Sequence, residues 1–131
     1  MKKILLETPY AGRPPTTSCP WWVSAPLAWW DHTLNVLYAR AAMGLLLREG
    51  HAPFASHLLY TQVLDDKDPA EREQGILAGL ALGDACDETH VFIDRGISRG
   101  MRQGVARATA AGRPVVLRSL LEPSWRYPDG A

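Results

Sequence analysis

The hydrophobic positions of the chain form short continuous runs that alternate with longer stretches in which apolar residues recur every three or four positions. Continuous runs of about four to eight residues, ended by Pro, Gly or Asp, are typical of strands buried on both faces of a sheet. Four runs of this kind predict strands at residues 3–7, 52–55, 89–94 and 114–118.

The stretches with helical spacing predict three longer helices between these strands. They cover about residues 32–49 between Asp31 as a cap and Gly50 as a stop, a segment from Asp68 onward, and residues 98–111, with residues 57–63 as a short helix or turn. Asp68, Pro69 and Glu71 match a capping box with a first-turn proline, which marks the start of the second helix. The alternation predicts an α/β domain in which right-handed helical crossovers join parallel strands and cover both faces of the sheet.

The second predicted helix has glycines at intervals of four residues, at Gly75, Gly79 and Gly83. They lie on one face of the helix, and each makes the helix less stable by about 1 kcal/mol than alanine would. We therefore expect another part of the protein, or of a second subunit, to approach this face closely.

Two segments do not fit the alternation. Residues 10–30 are rich in Pro and Gly and contain the pairs Trp21-Trp22 and Trp29-Trp30, so they predict a long irregular loop, an insert at about residues 11–31. The Trp pairs could stack on a base. Two Trp pairs in one loop would, however, form a larger apolar patch than monomers usually expose, which favours an oligomer interface. The proline-broken tail at residues 122–128 is expected to pack on the surface or on a neighbouring subunit.

The composition of the chain argues against several classes of function. The 131 residues fit one domain, 47% of them are hydrophobic, and the formal net charge is +0, so no overall field attracts a nucleic-acid polymer or an anionic membrane. No signal peptide or membrane span is evident, and Cys19 and Cys86 are too far apart in sequence for a CxxC motif, so we expect a cytoplasmic protein with free cysteines. The spacing of the histidines favours no metal site, and there is neither a G-x-S-x-G elbow nor a phosphate-binding GxxxxGK[ST] loop, so we expect no metal or cofactor.

Ligands of open parallel sheets bind beyond the carboxyl ends of the strands. This rule points to residues 8–12, 56–61 and 94–101 and to Arg118. In the third segment Asp94 ends a strand, Gly96 permits a turn and Ser98 can cap a helix whose N–H groups favour an anion. The segment therefore predicts a phosphate or ribose site, although a capped turn without a ligand has the same pattern.

Two further groups of side chains are candidates for binding. His57 and Tyr60 follow the second predicted strand, where a binding or proton-transfer role is open to them. Asn35 and Tyr38 lie three residues apart on the first helix and share a face. The alternative for this pair is a core tyrosine beside a solvated Arg40.

Several segments together resemble a small bacterial and phage group similar to the nucleoside 2-deoxyribosyltransferases and nucleoside monophosphate N-glycosidases. The resemblance rests on residues 7–12 (ETPYAG), Asn35 with residues 38–42 (YARAA), residues 50–57 (GHAPFASH), residues 94–101 (DRGISRGM), and Ala108 with residues 112–115 (GRPV). It implies a flavodoxin-like, Rossmann-like three-layer sandwich with a parallel sheet of four to five strands. It also implies a nucleotide or nucleoside ligand and assembly into dimers or larger oligomers.

The same resemblance implies a glutamate on the third helix that attacks or stabilises the anomeric carbon. Counting back from Gly112 and Ala108 puts this position at Gly104, and a shifted register gives Arg102 or Gln103, so the carboxylate is missing. Asp94 would then be the carboxylate able to activate water, if the protein is an enzyme.

Three hypotheses follow. The first is a protein that binds a nucleotide or another ribosyl-containing small molecule without turnover and so sequesters or senses it. The second is an N-glycosidase or deoxyribosyltransferase, and the third is an oligomeric interaction module. The predicted ligand-binding residues are Tyr10, Gly12, Asn35, His57, Tyr60, Asp94, Gly96, Ser98, Gly100 and Met101.

Overall fold

A computed structural model describes residues 1–11 and 21–128 of the chain. Its elements in chain order are β1 (Lys3–Glu7), α1 (Trp21–Arg48), β2 (Ala52–Phe54), α2 (Ser56–Leu59), a 3-10 turn (Tyr60–Gln62), α3 (Pro69–Gly83), β3 (Glu88–Phe92), α4 (Arg99–Ala110), β4 (Val115–Arg118) and β5 (Arg126–Pro128). The sheet has the strand order β2-β1-β3-β4-β5, and its first four strands are parallel. This is the order of flavodoxin-like domains, so the predicted fold class is confirmed.

The helices cover the two faces of the sheet because side chains alternate along each strand. Ile4, Leu6 and Phe92 form one core with Ala42 and Leu46 of α1. Val91 and Val115 form a second core with Met101 and Ala108 of α4. On the side of the sheet opposite to α1, the Leu5 side chain packs against Gly83 of α3. The result is a three-layer sandwich.

The start of α1 differs from the prediction. The helix begins at Trp21, so the expected loop is wrong for residues 21–30, and Asp31 lies inside the helix instead of capping it. The Pro and Trp residues of this segment suggested a loop, and the backbone is helical in spite of the low helix propensity of proline. Residues 12–20 of the predicted insert, with Cys19, lie outside the described residues. The helix ends at the predicted stop, because Gly50 has the positive φ of 85° that glycine adopts without strain.

The cap of α3 differs from the predicted capping box in one bond. The side chain of Asp68 accepts a hydrogen bond from the N–H of Ala70 (2.9 Å), as an N-cap does. The Glu71 carboxylate does not accept the hydrogen bond from the N–H of Asp68 that a capping box would have. It accepts one from the N–H of Asp65 instead (3.0 Å). The helix start is therefore as predicted, while Glu71 ties down the preceding loop.

The glycine face of α3 is covered from within the chain. A Cβ built on Gly79 would lie 2.7 Å from the Ser56 hydroxyl oxygen, and one on Gly83 would lie 2.8 Å from a Leu5 methyl carbon. The close approach predicted from the spacing is thus made by α2 and β1. This corrects the hypothesis that the face serves assembly with another subunit.

The tail, which was expected to pack on the surface or on a neighbouring subunit, adds a fifth strand to the sheet. Arg126 to Pro128 form β5, which pairs antiparallel with β4, and Arg126 lies opposite Arg118 in the register. Both arginines reach Glu49: Arg118 donates two hydrogen bonds to its carboxylate (2.6 and 2.7 Å) and Arg126 donates one (2.8 Å). Within the residues described, no helix is long and apolar enough to cross a membrane.

Candidate ligand-binding site

A pocket of about 400 Å³ opens where β1 ends. It is bounded by the end of β1, by α2 and the 3-10 turn, by α3 from Glu71 to Leu80 and by the first turns of α4. Its lining residues are Leu5, Glu7, Thr8, Tyr10, Ala11, Ser56, His57, Tyr60, Thr61, Leu64, Asp66, Glu71, Arg72, Gly75, Ile76, Gly79, Leu80, Ser98, Arg99, Gly100, Met101, Gln103 and Gly104. The volume is within the range of small-molecule sites, and the position is the one that parallel sheets favour for ligands.

The last residue of β1, Glu7, carries the carboxyl group at the inner end of this pocket. It lies on the same face of the strand as Leu5, because alternate side chains point the same way. Burial raises the pKa of Glu7 to about 8, and the positive charge of Arg113 lowers it only in part. Glu7 is therefore a largely protonated acid at neutral pH.

The Glu7 carboxyl group rests on Gly104 of α4. A Cβ built on Gly104 would lie 2.1 Å from Oε1 of Glu7 and 2.6 Å from its Cδ. No side chain at position 104 is compatible with this carboxyl position. The place where the sequence resemblance implies a glutamate therefore holds a carboxyl group from another element.

The two other acidic residues of the pocket are engaged elsewhere. The carboxylate of Asp66 accepts a hydrogen bond from Arg72 (3.0 Å), and that of Glu71 accepts from the N–H of Asp65 (3.0 Å). Among the described residues, no donor makes a hydrogen bond to Glu7. Glu7 is thus the pocket carboxyl group left available to a ligand.

Aromatic and imidazole rings form the side of the pocket next to Glu7. The Nε2 atom of His57 lies 2.7 Å from the hydroxyl oxygen of Thr8, and burial lowers the pKa of His57 to about 4. The ring of Tyr10 meets that of His57 edge-on, with centroids 6.0 Å apart. His57 is therefore neutral at physiological pH, and the hydrogen bond with Thr8 fixes the position of its ring.

The start of α4 forms the opposite wall. The hydroxyl oxygen of Ser98 accepts from the N–H of Met101, and the Met101 sulfur accepts from the N–H of Ser98, both at 3.3 Å. Arg99 and Gly100 follow the cap, and no hydrogen bond within the described part of the chain uses their N–H groups. Unpaired N–H groups at a helix start favour an anion, as predicted for this segment.

The structure places Asp94, the carboxylate nominated for catalysis, outside the pocket lining. Its carboxylate accepts hydrogen bonds from the hydroxyls of Ser119 and Tyr38 and from the N–H of Leu120 (2.8 Å). Burial opposes its ionisation, but these hydrogen bonds hold the pKa of Asp94 below its usual range. These hydrogen bonds join the ends of β3 and β4 to α1.

Most of the other predicted site residues meet in the pocket. Tyr10, His57, Tyr60, Ser98, Gly100 and Met101 line it. Asn35 is buried, donates to the carbonyl of Ala11 (3.2 Å) and accepts from Arg95 (2.7 Å), and so supports the loop instead of reaching the pocket. Gly96 has a φ of 87° in the predicted turn, and Gly12 lies outside the described residues.

Arg118, also nominated by the strand-end rule, is fully buried in its ion pair with Glu49 and is absent from the pocket lining. The described part of the chain contains no cluster of three or more His, Cys, Asp or Glu residues that could hold a metal.

A family model described as a domain of unknown function, DUF7768, matches residues 2–118. The chain belongs to this family. The pocket of this DUF7768 domain lies entirely within the matched residues. None of the curated proteins matches the chain.

The DUF7768 domain is similar in structure to a 2-deoxyribosyltransferase from the psychrotolerant bacterium Bacillus psychrosaccharolyticus, described as a biocatalyst for the synthesis of antiviral and antitumoral nucleosides. The TM-score is 0.63, the similarity covers 89% of this chain and 72% of that chain, and the sequences are 18% identical. The resemblance to deoxyribosyltransferases is therefore confirmed for the fold.

Sequence reasoning placed Glu7 near the strand ends but gave it no role. The signal that would have selected it is its register: Glu7 follows Leu5 on the face that α3 and α4 cover, so its carboxyl group must lie beneath a helix. Arg72 and Gln103 also line the pocket without having been predicted to bind.

Proposed function

We propose that the pocket binds a nucleoside or nucleoside monophosphate. The observation that carries the proposal is the composition of the pocket: one side has aromatic and aliphatic groups, the other has the start of a helix, and a carboxyl group lies between them. A base, a phosphate and a sugar are the three chemical groups that this arrangement matches. The distant structural likeness to a 2-deoxyribosyltransferase supports a ligand of this class.

Each part of the ligand has a place in the proposal. The base packs against Tyr10, Tyr60 and Ile76, which supply flat or apolar surface. A 5′-phosphate accepts from the N–H groups of Arg99 and Gly100. The sugar then lies over Glu7.

Titration calorimetry tests the binding proposal. The probes are deoxyadenosine, deoxyguanosine, deoxycytidine and thymidine, their ribose counterparts, and the 5′-monophosphate of each. We expect saturable heat with at least one probe, and tighter binding of the monophosphate than of its nucleoside. Absence of heat with every probe would contradict the proposal.

Two matched variants of α3 locate the binding. Ile76 is 37% exposed and lines the pocket, whereas its neighbour Leu77 is 59% exposed and lies outside the lining. Ile76→Trp is expected to fill the pocket and weaken binding at least tenfold. Leu77→Trp adds the same bulk outside the pocket and should leave affinity unchanged, so equal effects of both variants would place the ligand elsewhere.

Binding without turnover was the hypothesis when no carboxylate could be assigned to position 104. The Glu7 carboxyl group above Gly104 supports a second candidate function, cleavage of the bond between base and sugar. The two candidates share one pocket and differ in whether free base is released.

We also retain the prediction of a homo-oligomer. Trp29, Trp30 and Leu37 on α1 are each more than half exposed, and Trp30 and Leu37 share a helix face. An apolar surface of this kind supports a contact between subunits. Light scattering checks it, and a strictly monomeric protein would contradict it.

A further inference from the structure

Glu7 of β1 and Gly104 of α4 are in close contact at the pocket. Gly104 is buried, and the Glu7 carboxyl group occupies the space into which any side chain at position 104 would project. A glycine inside a helix lowers its stability by about 1 kcal/mol relative to alanine, so a close neighbour must occupy the bare backbone. Here that neighbour is a carboxyl group that also faces the pocket.

We propose that Glu7 is the catalytic acid of this pocket, which protonates the departing base of a bound nucleoside or nucleoside monophosphate during hydrolysis of its N-glycosidic bond. The inference rests on the proposed binding function. It assigns the reactive group to β1, at a position different from both Asp94 and the helical position 104.

The two other carboxyl groups of the pocket, and Asp94 after β3, are engaged by other contacts. Asp66 is paired with Arg72, Glu71 holds the N–H of Asp65, and Asp94 accepts from three donors. Hydrogen bonds to a carboxylate favour its charged form, so a group that is to give up and regain a proton is best left without such donors. Glu7 is the one of these four that accepts no hydrogen bond within the described structure.

The surroundings of Glu7 suit an acid better than an anionic nucleophile. Burial favours its neutral form, and its pKa of about 8 lies close to neutral pH, where a general acid is most effective. Arg113 is the charge that acts on it most, and the ionisable groups that share the pocket are Tyr10, His57, Tyr60, Asp66, Glu71, Arg72 and Arg99.

The reaction balances without a further reagent. The C1′–N bond breaks, its electron pair stays on the base nitrogen, and that nitrogen takes the proton of Glu7. A water molecule then forms the new C1′–O bond and passes one proton to the Glu7 carboxylate. The carboxyl group is regenerated, and the products are the free base and the sugar or sugar phosphate.

The test compares the wild-type chain with Glu7→Gln and with Glu73→Gln. Glu73 is an exposed carboxylate of α3 outside the pocket, so its replacement makes the same chemical change at a remote position. Each protein is incubated with the nucleosides and monophosphates named above, free base is measured by chromatography, and binding is measured by calorimetry. Circular dichroism confirms that each variant is folded.

We expect the wild type to release base and Glu7→Gln to release it at least 100-fold more slowly, the lower range for loss of a general acid. Glu73→Gln should match the wild type, and affinity should change only a few-fold in either variant. Glu7→Asp, which keeps the acid but shortens its reach, should retain part of the rate. The wild-type rate should fall about tenfold per pH unit above pH 8, as Glu7 loses its proton.

Binding by the wild type without base release overturns the role of Glu7 and leaves the proposed binding function standing. Release of free base by Glu7→Gln at a rate similar to that of the wild type overturns the role of Glu7 as well. Absence of binding with all probes contradicts the binding function instead, so the two failures are distinguishable.

Discussion

Glu7 ends β1 and Asp94 follows β3, a neighbouring parallel strand, so both lie at the same edge of the sheet. Asp94 accepts hydrogen bonds from Ser119, Tyr38 and Leu120, and these keep it ionised. Glu7 has no such donors in the described structure, lies against a bare glycine backbone and is held in its neutral form by burial.

This difference shows that the position of a carboxyl group at a strand end does not decide its role. The donors around it do, because they fix the free energy of the charged form relative to the neutral one. Asp94 is a carboxylate stabilised by three donors, and Glu7 is a carboxyl group that faces a pocket. The predictions below test this contrast.

The largest expected effect is a difference in the pH dependence of stability between wild type and Glu7→Gln. The pKa of Glu7 is higher in the folded chain than the ordinary 4.5, so the folded state holds a proton that the unfolded state has lost. Wild-type stability relative to Glu7→Gln should therefore fall as pH rises from about 4.5 to 8, by on the order of 3–5 kcal/mol. Denaturant unfolding at several pH values measures this change. A difference in unfolding free energy between the two proteins that does not vary with pH would contradict the contrast between Glu7 and Asp94.

Asp94→Asn should show the opposite sign. The pKa of Asp94 is lowered by folding, so its contribution is present above about pH 4 and is lost as pH falls further. Loss of hydrogen bonds to a charged group is expected to cost about 2–3 kcal/mol at pH 7. Unfolding curves at pH 7 and pH 3 check this, and a cost that grows on acidification would contradict it.

Ser119→Ala sharpens the comparison by removing a single donor. The Ser119 hydroxyl donates to Asp94 while the N–H groups of Leu121 and Glu122 reach its oxygen (3.1 and 3.2 Å), so about 1–2 kcal/mol should be lost. The pKa of Asp94 should rise and that of Glu7 should stay unchanged. An equal change at both carboxyl groups would mean that they are coupled and cannot be compared as independent sites.

Gly104→Ala gives the smallest expected effect. In a chain carrying Glu7→Ala the added methyl group has room, and it should stabilise the helix by about 1 kcal/mol. With Glu7 present the methyl group must displace the carboxyl group, so this gain should be reduced or reversed. A double-mutant cycle measures the coupling, and strictly additive effects would show that the two positions are not in contact.

The fold was predictable because β1, β3 and β4 are short runs with buried residues, β2 is a short half-buried run, and each longer helix after the first has a recognisable start. The Asp68 cap and the Gly50 stop are local signals and were found correctly. The start of α1 was missed because proline and tryptophan suggest a loop by composition, whereas the backbone from Trp21 onward is helical.

The site was predictable only where its signals are local. Ser98 and Met101 were identified from the helix start, and His57 and Tyr60 from the position after β2. The roles of Glu7 and Asp94 depend on partners distant in sequence, Gly104 for one and Ser119 and Tyr38 for the other. No pattern along the chain indicates which strand-end carboxylate will be saturated by donors.

The most direct test of the contrast is a carbon-detected NMR titration of the side-chain carboxyl groups of Glu7 and Asp94 in the same sample. Glu7→Gln and Asp94→Asn assign the two resonances. We predict that Glu7 titrates near pH 8, while Asp94 stays ionised to below the usual range of aspartate. A Glu7 carboxyl group that titrates near its ordinary value of 4.5 would contradict the account.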